Sequence, residues 1–515
     1  MKQILYSILL ALGTAACSDM LDVVPENAVR YTNFFETEKD LGQANAELYA
    51  RLREIYFTYM RPNPHDLMGL RYDAQNTYMS PDELKALVPQ AFKEQGGISW
   101  SYHYATIFQA NLILDNIYRA EGVPGDRIEF YLGHAYFVKA MVYYEIARGW
   151  GDAPIPSTSR AIEVLERRPA AEVLDTARGY AERAFNLLRP YNEQVDHRGE
   201  PTYKYFGHKA AAAALLAAIH AWRAGRFNDM EAYKETDRYC SLILEGKLGE
   251  FRLEDDPEGV CVNKGAGGYL TGESVFELTT NPLDFNSGFT TAHFHAGIGF
   301  HMGDTYSYGG WPFNPLGSEE ENGYYNYYLV TNATVKEIWK AGDKRRQAYF
   351  YEFDTYAPAD GDAGYAYPYF WREPVMDPTY EEMVNMQGNR IFWRLADLYL
   401  LRAEARCRAG LPGAEADLNT VRDRADAARY PSVDDTGGLQ MAIFREREKE
   451  LFFDGERYYD IVRNGYYRLP GMISPAFEQL TEADVQGGAL YLPVSDEAFL
   501  DNTKMRRNPY WLSKW

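Results

Sequence analysis

Residues 389–427 read NRIFWRLADLYLLRAEARCRAGLPGAEADLNTVRDRADA, and the spacing of their apolar positions decides the fold. Ile391, Leu395, Leu398 and Leu401 recur at helical intervals, which predicts a helix with one buried face. Small Ala396, Ala403 and Ala405 would let a second helix carrying Ala414, Leu418 and Val421 approach closely. Leu411, Pro412 and Gly413 interrupt the pattern. Gly410 suits the left-handed residue that ends the first helix, and Pro412 suits the first turn of the second. The stretch is a helical hairpin.

The same design recurs upstream. FGHKAAAAALLAAIHAWRAGRFNDMEAYKETDRYCSLIL (206–244) ends its first helix in Arg223-Ala224-Gly225, as the hairpin ends its own in Arg408-Ala409-Gly410. A third copy spans Phe130 to Arg148 and Ala171 to Leu188, and a fourth pairs Asp40 to Phe57 with Tyr102 to Tyr118. Helical pairs of tetratricopeptide-like size cannot bury their apolar faces alone, so about four of them predict a mainly α solenoid with little β.

The 515 residues, 46% hydrophobic and 25% charged, can bury a large core. A formal net charge of −21 disfavours nucleic acid and anionic membrane surfaces, which require clustered Lys and Arg. Aromatic content is high, with 42 Tyr and 9 Trp, more than core packing usually needs.

Residues 1–17, MKQILYSILLALGTAAC, carry Lys2, an apolar run from Ile4 to Leu12 and small residues before Cys17. This is a secretion signal. Cys17 directly after small residues resembles a bacterial lipoprotein box, which implies that cleavage leaves Cys17 as a lipidated first residue; the alternative is an ordinary signal peptide cleaved nearby. Beyond Leu12 no apolar run approaches the ~18 residues that span a bilayer, so the expectation is a protein anchored to a membrane by lipid. Cys240, Cys261 and Cys407 remain, an odd number without CxxC spacing, and imply no disulfide framework.

Several further stretches carry a resemblance. CSDMLDVVPE leads into an FF-x-T-x-x-D turn at Phe34; WSYHYATIFQANLILDNI (100–117) holds an Ala110-Asn111 pair; a long helix runs into the Trp150-to-Pro154 turn. Near the C-terminus FREREKELFFDGERYYDIVRNG (444–465) is followed by LYLPVSDEAFLDNTKMRRNPYW. Together these resemble the SusD/RagB family of Bacteroidetes surface lipoproteins along nearly the whole chain. The resemblance implies a nutrient-binding outer-membrane lipoprotein, exposed at the cell surface, that caps a SusC-type TonB-dependent transporter and passes ligand inward. It implies no cofactor and no enzyme activity. The ligand would be an oligosaccharide or, as in some relatives, a peptide.

The chain then divides into a signal peptide at 1–16, a lipidated tether at 17–39, helical scaffold at 40–245, a loop-rich aromatic insertion at 246–386 and scaffold again at 387–515. Thirteen tyrosines fall between Tyr269 and Tyr369, among Gly, Asn and Pro. Loops on a rigid scaffold are where recognition is usually placed, and a Tyr or Trp face stacks on the C–H face of a sugar ring while polar neighbours satisfy its hydroxyls. The alternative is that most of these rings fill a second core beneath the loops. Tyr306, Tyr308 and Trp311 among glycines, and Tyr365, Tyr367 and Trp371, are candidate ligand residues. So are Arg71, Tyr72, Asp73, Asn76 and Tyr78 between the first two helices, and Trp100 after Gly96-Gly97.

No P-loop, GxGxxG, HExxH or GxSxG is present. His293, His295 and His301, or Asp354, Asp360 and Asp362, lack the spacing of a metal site and read as ordinary loop residues. Glu446, Glu448 and Glu450 would offer a carboxylate pair to a surface glycoside hydrolase. The reading preferred here is that Glu446, Glu450, Arg457 and Arg463 form a structural ion-pair network.

Overall fold

The structure, a computed structural model, describes residues 34–56, 74–75, 97–160, 164–262, 271–278, 328–354, 361–363, 366, 369–370, 373–376, 383–387, 389–473, 475–500 and 502–513. Eight helices build the scaffold: α1 Glu38–Tyr56, α2 Ser101–Asn116, α3 Gly125–Gly149, α4 Ala170–Leu187, α5 Lys209–Phe227, α6 Ala232–Leu244, α7 Leu395–Ala409 and α8 Ala414–Arg424. Each packs on the next in that order, α6 joining α7 across the long insertion. Nearest-neighbour stacking of helical pairs is what defines a solenoid. The fold is the mainly helical, tetratricopeptide-like array read from the hairpin.

Position in the stack explains composition. In α5 every residue from Ala210 to Trp222 is buried, so the helix is apolar all round, as a helix flanked by neighbours must be. Its start is set by His208, whose Nδ1 accepts from Ala211 N at 3.3 Å while Nε2 donates to the Val275 carbonyl at 2.7 Å. Burial holds that imidazole down to about 3, so it stays neutral. Gly410 ends α7 at φ 67°, as expected, with Leu411 N returning to the Arg406 carbonyl. Gly225 behaves otherwise. It lies inside α5, which runs on to Phe227 and ends at left-handed Asn228.

Two expectations are corrected at the hairpin's N-terminal end. Arg390–Arg394 is a strand, antiparallel to Ser274–Leu278, and α7 begins only at Leu395. Phe276 packs on Phe392 and Trp393, so sheet pairing overrides the helical spacing of Ile391. Ile391 accordingly leaves the solenoid seam and joins a separate core with Trp339, Tyr349, Phe350, Phe452 and Phe453. Short helices Asn332–Ile338 and Arg345–Tyr349 supply much of that second core.

After α8 the chain forms α9 Gly438–Glu450 and α10 Arg457–Asn464, then a C-terminal segment that returns to the first repeats. Leu492 N donates to the Gly149 carbonyl and Ile98 N to Pro493 O, both at 2.8 Å. The Trp150-to-Pro154 turn is held there: Gly151, at φ 74°, leaves no room for a Cβ against Tyr491. Asp152 reaches on to accept from Ala170 N at the start of α4.

Candidate functional site

Of the candidate ligand residues, Arg71, Tyr72, Asp73, Asn76, Tyr78, Tyr306, Tyr308, Trp311, Tyr365, Tyr367 and Trp371 lie outside the described residues, as does Cys17. Trp100 is described, and it is a correction. Only 6% exposed, it meets Tyr104 edge-on at 5.3 Å and Trp150 at 6.1 Å, with Arg167 5.8 Å from its ring centre. The cause is the C-terminal clasp: Ile98, two residues earlier, is tied to Pro493 and Ser495, which draws Trp100 into the core. It has no face to offer a ligand.

The carboxylates of residues 444–465 are all engaged. Glu446 meets Arg345 at 2.6 Å and Arg422 at 2.8 Å. Glu450 is ringed by Arg345, Arg394 and Arg424, and Glu273 bridges the last two at 2.9 and 2.7 Å. Glu448 pairs with Arg445 and Arg457. Burial alone would raise the Glu446 and Glu450 carboxyls. Arg345 at Glu446, and Arg424, Arg394 and Arg345 at Glu450, outweigh it and hold both below the ordinary carboxylate range. A glycosidic general acid needs the opposite shift.

The expected ion-pair network is present, with different partners. Arg463, on α10, reaches Glu404 of α7 through two bonds of 2.7 and 2.8 Å and Asp460 at 2.6 Å, and Arg447 joins Asp460 to Asp397. Among the described residues no group of three His, Cys, Asp or Glu could hold a metal ion. Asp354 is bound by Arg346 and Gln347, and Asp362 by Lys336.

Beside α2 the described surface offers rings, as it does singly at Tyr203. That helix buries His103, Ile107, Ala110 and Ile113, and its opposite face carries Phe108 and Leu112. Phe108 is 52% exposed and Tyr118, just past the helix end, 67%. With Asn116, Ser159 and Arg160 they line an open groove of about 840 Å³.

Comparison with known proteins places this geometry. A family model described as "SusD family" matches residues 318–511, and one described as "Starch-binding associating with outer membrane" matches residues 19–220. The chain belongs to the SusD/RagB family. The SusD-like protein P25 of Formosa agariphila is 24% identical over 516 residues, covering 90% of each chain. Among solved structures, a SusD homologue from Bacteroides thetaiotaomicron superposes with a TM-score of 0.74 at 19% identity, over 93% of this chain and 99% of its own. Surface glycan-binding protein A from Bacteroides uniformis gives 0.70 at 17% identity, over 92% and 100%. The solenoid with its second aromatic core is thus a SusD fold.

Within this SusD-type scaffold the groove escaped sequence reading, though one signal was there. Phe108 and Leu112 repeat at i, i+4 on the side of α2 away from the buried His103, Ile107 and Ala110, where an outward helix face normally carries polar residues.

Proposed function

We propose that this protein is a cell-surface lipoprotein that captures oligosaccharides and delivers them to a SusC-type TonB-dependent transporter without cleaving them. The observation that carries the reading is the match of residues 19–220 to a family described as starch-binding and outer-membrane-associated. The full-length likeness to surface glycan-binding protein A supports it. The absence of a catalytic role is supported by Glu446 and Glu450, whose charge is consumed by buried arginines. Attachment through a lipid on Cys17 is part of the proposal; among the described residues no helix is long and apolar enough to cross a membrane. Arg71, Tyr72, Asp73, Asn76 and Tyr78, with Tyr306, Tyr308, Trp311, Tyr365, Tyr367 and Trp371, are proposed to supply stacking faces and polar contacts from the loops of a 246–386 insertion and its neighbour.

Calorimetric titration of the purified, detergent-solubilised protein against neutral oligosaccharides, acidic polysaccharides and peptides tests the reading. Saturable binding to a glycan, with the glycan recovered intact, supports it; hydrolysis products, or binding confined to peptides, overturn it. Cys17→Ala should shift the protein from the membrane to the soluble fraction, read by fractionation and blotting. Retention in the membrane would remove the anchor from the proposal.

A further inference from the structure

We propose that the groove beside α2 is a preorganised subsite for a neutral oligosaccharide, built by residues other than the loop residues named above. The inference rests on the glycan-capture reading and adds a place and a ligand class to it.

The first argument is that the wall of the groove is built and held. Residues 154–160 run alongside α2 and are tied to it by three side chains at i, i+7 and i+11, which share one helix stripe. Tyr104 Oη donates to the Pro154 carbonyl at 2.8 Å and Asn111 Nδ2 to the Pro156 carbonyl at 3.3 Å. Asp115 accepts from Thr158 Oγ1, Ser159 N and Ser159 Oγ at 2.7, 2.6 and 2.8 Å. Buried Lys139 in turn holds Asn111 through its Oδ1. Such lacing lowers the ordering cost of binding, because the wall is already in place.

The second argument is the chemistry displayed. Phe108, Leu112 and Tyr118 supply apolar surface, and the Arg160 guanidinium and the Ser159 hydroxyl oxygen lie beside it, while Asn116 is buried and spends its Nδ2 on the Leu112 carbonyl. Arg160 lies 5.8 Å from the Tyr118 ring centre and donates to its hydroxyl at 3.4 Å, which fixes the ring's edge and leaves it 67% exposed. Flat rings beside a planar guanidinium donor and a hydroxyl oxygen acceptor match the apolar C–H face and equatorial hydroxyls of a pyranose. The volume of about 840 Å³ falls in the ~300–1,000 Å³ range of small-ligand sites.

Charge selects neutral over acidic sugars. Both arginines of the groove face carboxylates: Arg119 lies 3.7 Å from Glu36, and Arg160 helps to hold the Asp115 carboxyl below its ordinary range. The rim is close to neutral on a chain of net charge −21, so an anionic ligand gains neither local surplus charge nor long-range steering.

The test compares wild type, Phe108→Ala/Tyr118→Ala, Phe108→Trp and Tyr308→Ala/Trp311→Ala, all as the detergent-solubilised protein. Each is titrated calorimetrically with cellohexaose, laminarihexaose, xylohexaose and hexagalacturonate, with the thermal midpoint measured alongside. Expected is a loss of about tenfold or more in affinity for one neutral hexaose in Phe108→Ala/Tyr118→Ala at an unchanged midpoint, with Phe108→Trp retaining binding. Unchanged affinity in the groove variant, with loss in Tyr308→Ala/Trp311→Ala, overturns the groove and leaves glycan capture standing. Groove-dependent binding of hexagalacturonate alone overturns the neutral assignment. No binding of any glycan by wild type overturns both.

Discussion

At the level of single residues, Arg463 shows how this protein spends its charge. Its guanidinium is buried with Glu404, Asp460 and Asn464, and Glu404 accepts from both Arg463 and Asn464. Burial would raise the Glu404 carboxyl, but Arg463 more than offsets this and holds it down to about 2. Arg463→Met should destabilise the fold by about 3–5 kcal/mol, because it strands a buried carboxylate. Urea denaturation at pH 7 reads the change, and a shift below 1 kcal/mol would show that water or rearrangement replaces the arginine. Replacing Arg463 and Glu404 together by apolar residues should recover much of the loss, since burying a charge pair gains little over burying hydrocarbon. The sequence already pointed to Glu446, Glu450, Arg457 and Arg463 as a paired set. It did not indicate who pairs with whom, because Arg345, Arg394 and Glu404 come from elements distant along the chain.

Among elements, α5 is the most constrained. Its alanines admit neighbours on all sides, and Gly225 admits α10 most closely: a Cβ there would fall 2.2 Å from the Arg463 carbonyl oxygen. Gly225→Ala should therefore push α10 away from α5 and lower stability, by about 1–3 kcal/mol as overpacking generally does. Faster limited proteolysis after residue 450 would accompany it; an unshifted denaturation midpoint would mean the helices separate freely. The parallel between Arg223-Ala224-Gly225 and Arg408-Ala409-Gly410 was legible as a repeat, and the two glycines nonetheless do different work. Gly410 turns the chain, whereas Gly225 makes room. A single sequence carries no record of what lies against a helix, so a packing glycine and a capping glycine look alike. Residues 390–394 show the same limit for conformation: Phe392 and Trp393 fit either a helix or a strand, and the partner strand Ser274–Leu278 decides.

For the whole molecule, acid is the expected weakness. Burial holds His134 and His208 down to about 3, and Arg463 with its neighbours holds Glu404 down to about 2. The folded state thus refuses protons that the unfolded chain takes up, the histidines below about 6.5 and Glu404 below about 4.5. Stability should be full above pH 6.5 and fall steadily as pH drops toward 3. Urea midpoints at pH 7, 5.5 and 4 measure this, and a flat profile would show that these groups gain protons without unfolding. Substituting His134 by Gln should flatten the upper part of the curve. The same burial that makes the fold acid-sensitive closes it into one body, because the C-terminal residues 491–495 bind back onto Ile98 and Gly149.

What the amino-acid sequence determined was the set of periodic, local features. Helical spacing, small residues at helix contacts, glycine at the α7 end and the ordered recurrence of pairs all act within a few turns, and they suffice for a solenoid. The tertiary structure alone decided what depends on contact between distant segments. Trp100 became core when residues 493–495 closed on Ile98, Arg390–Arg394 became a strand when a partner arrived, and the arginines found their carboxylates across elements. The α2 groove belongs to this second class: Phe108 and Tyr118 are a paired surface only because residues 154–160 are bound beside them. The reason is physical. Burial and exposure are properties of a side chain's surroundings, and those surroundings are assembled from the whole chain.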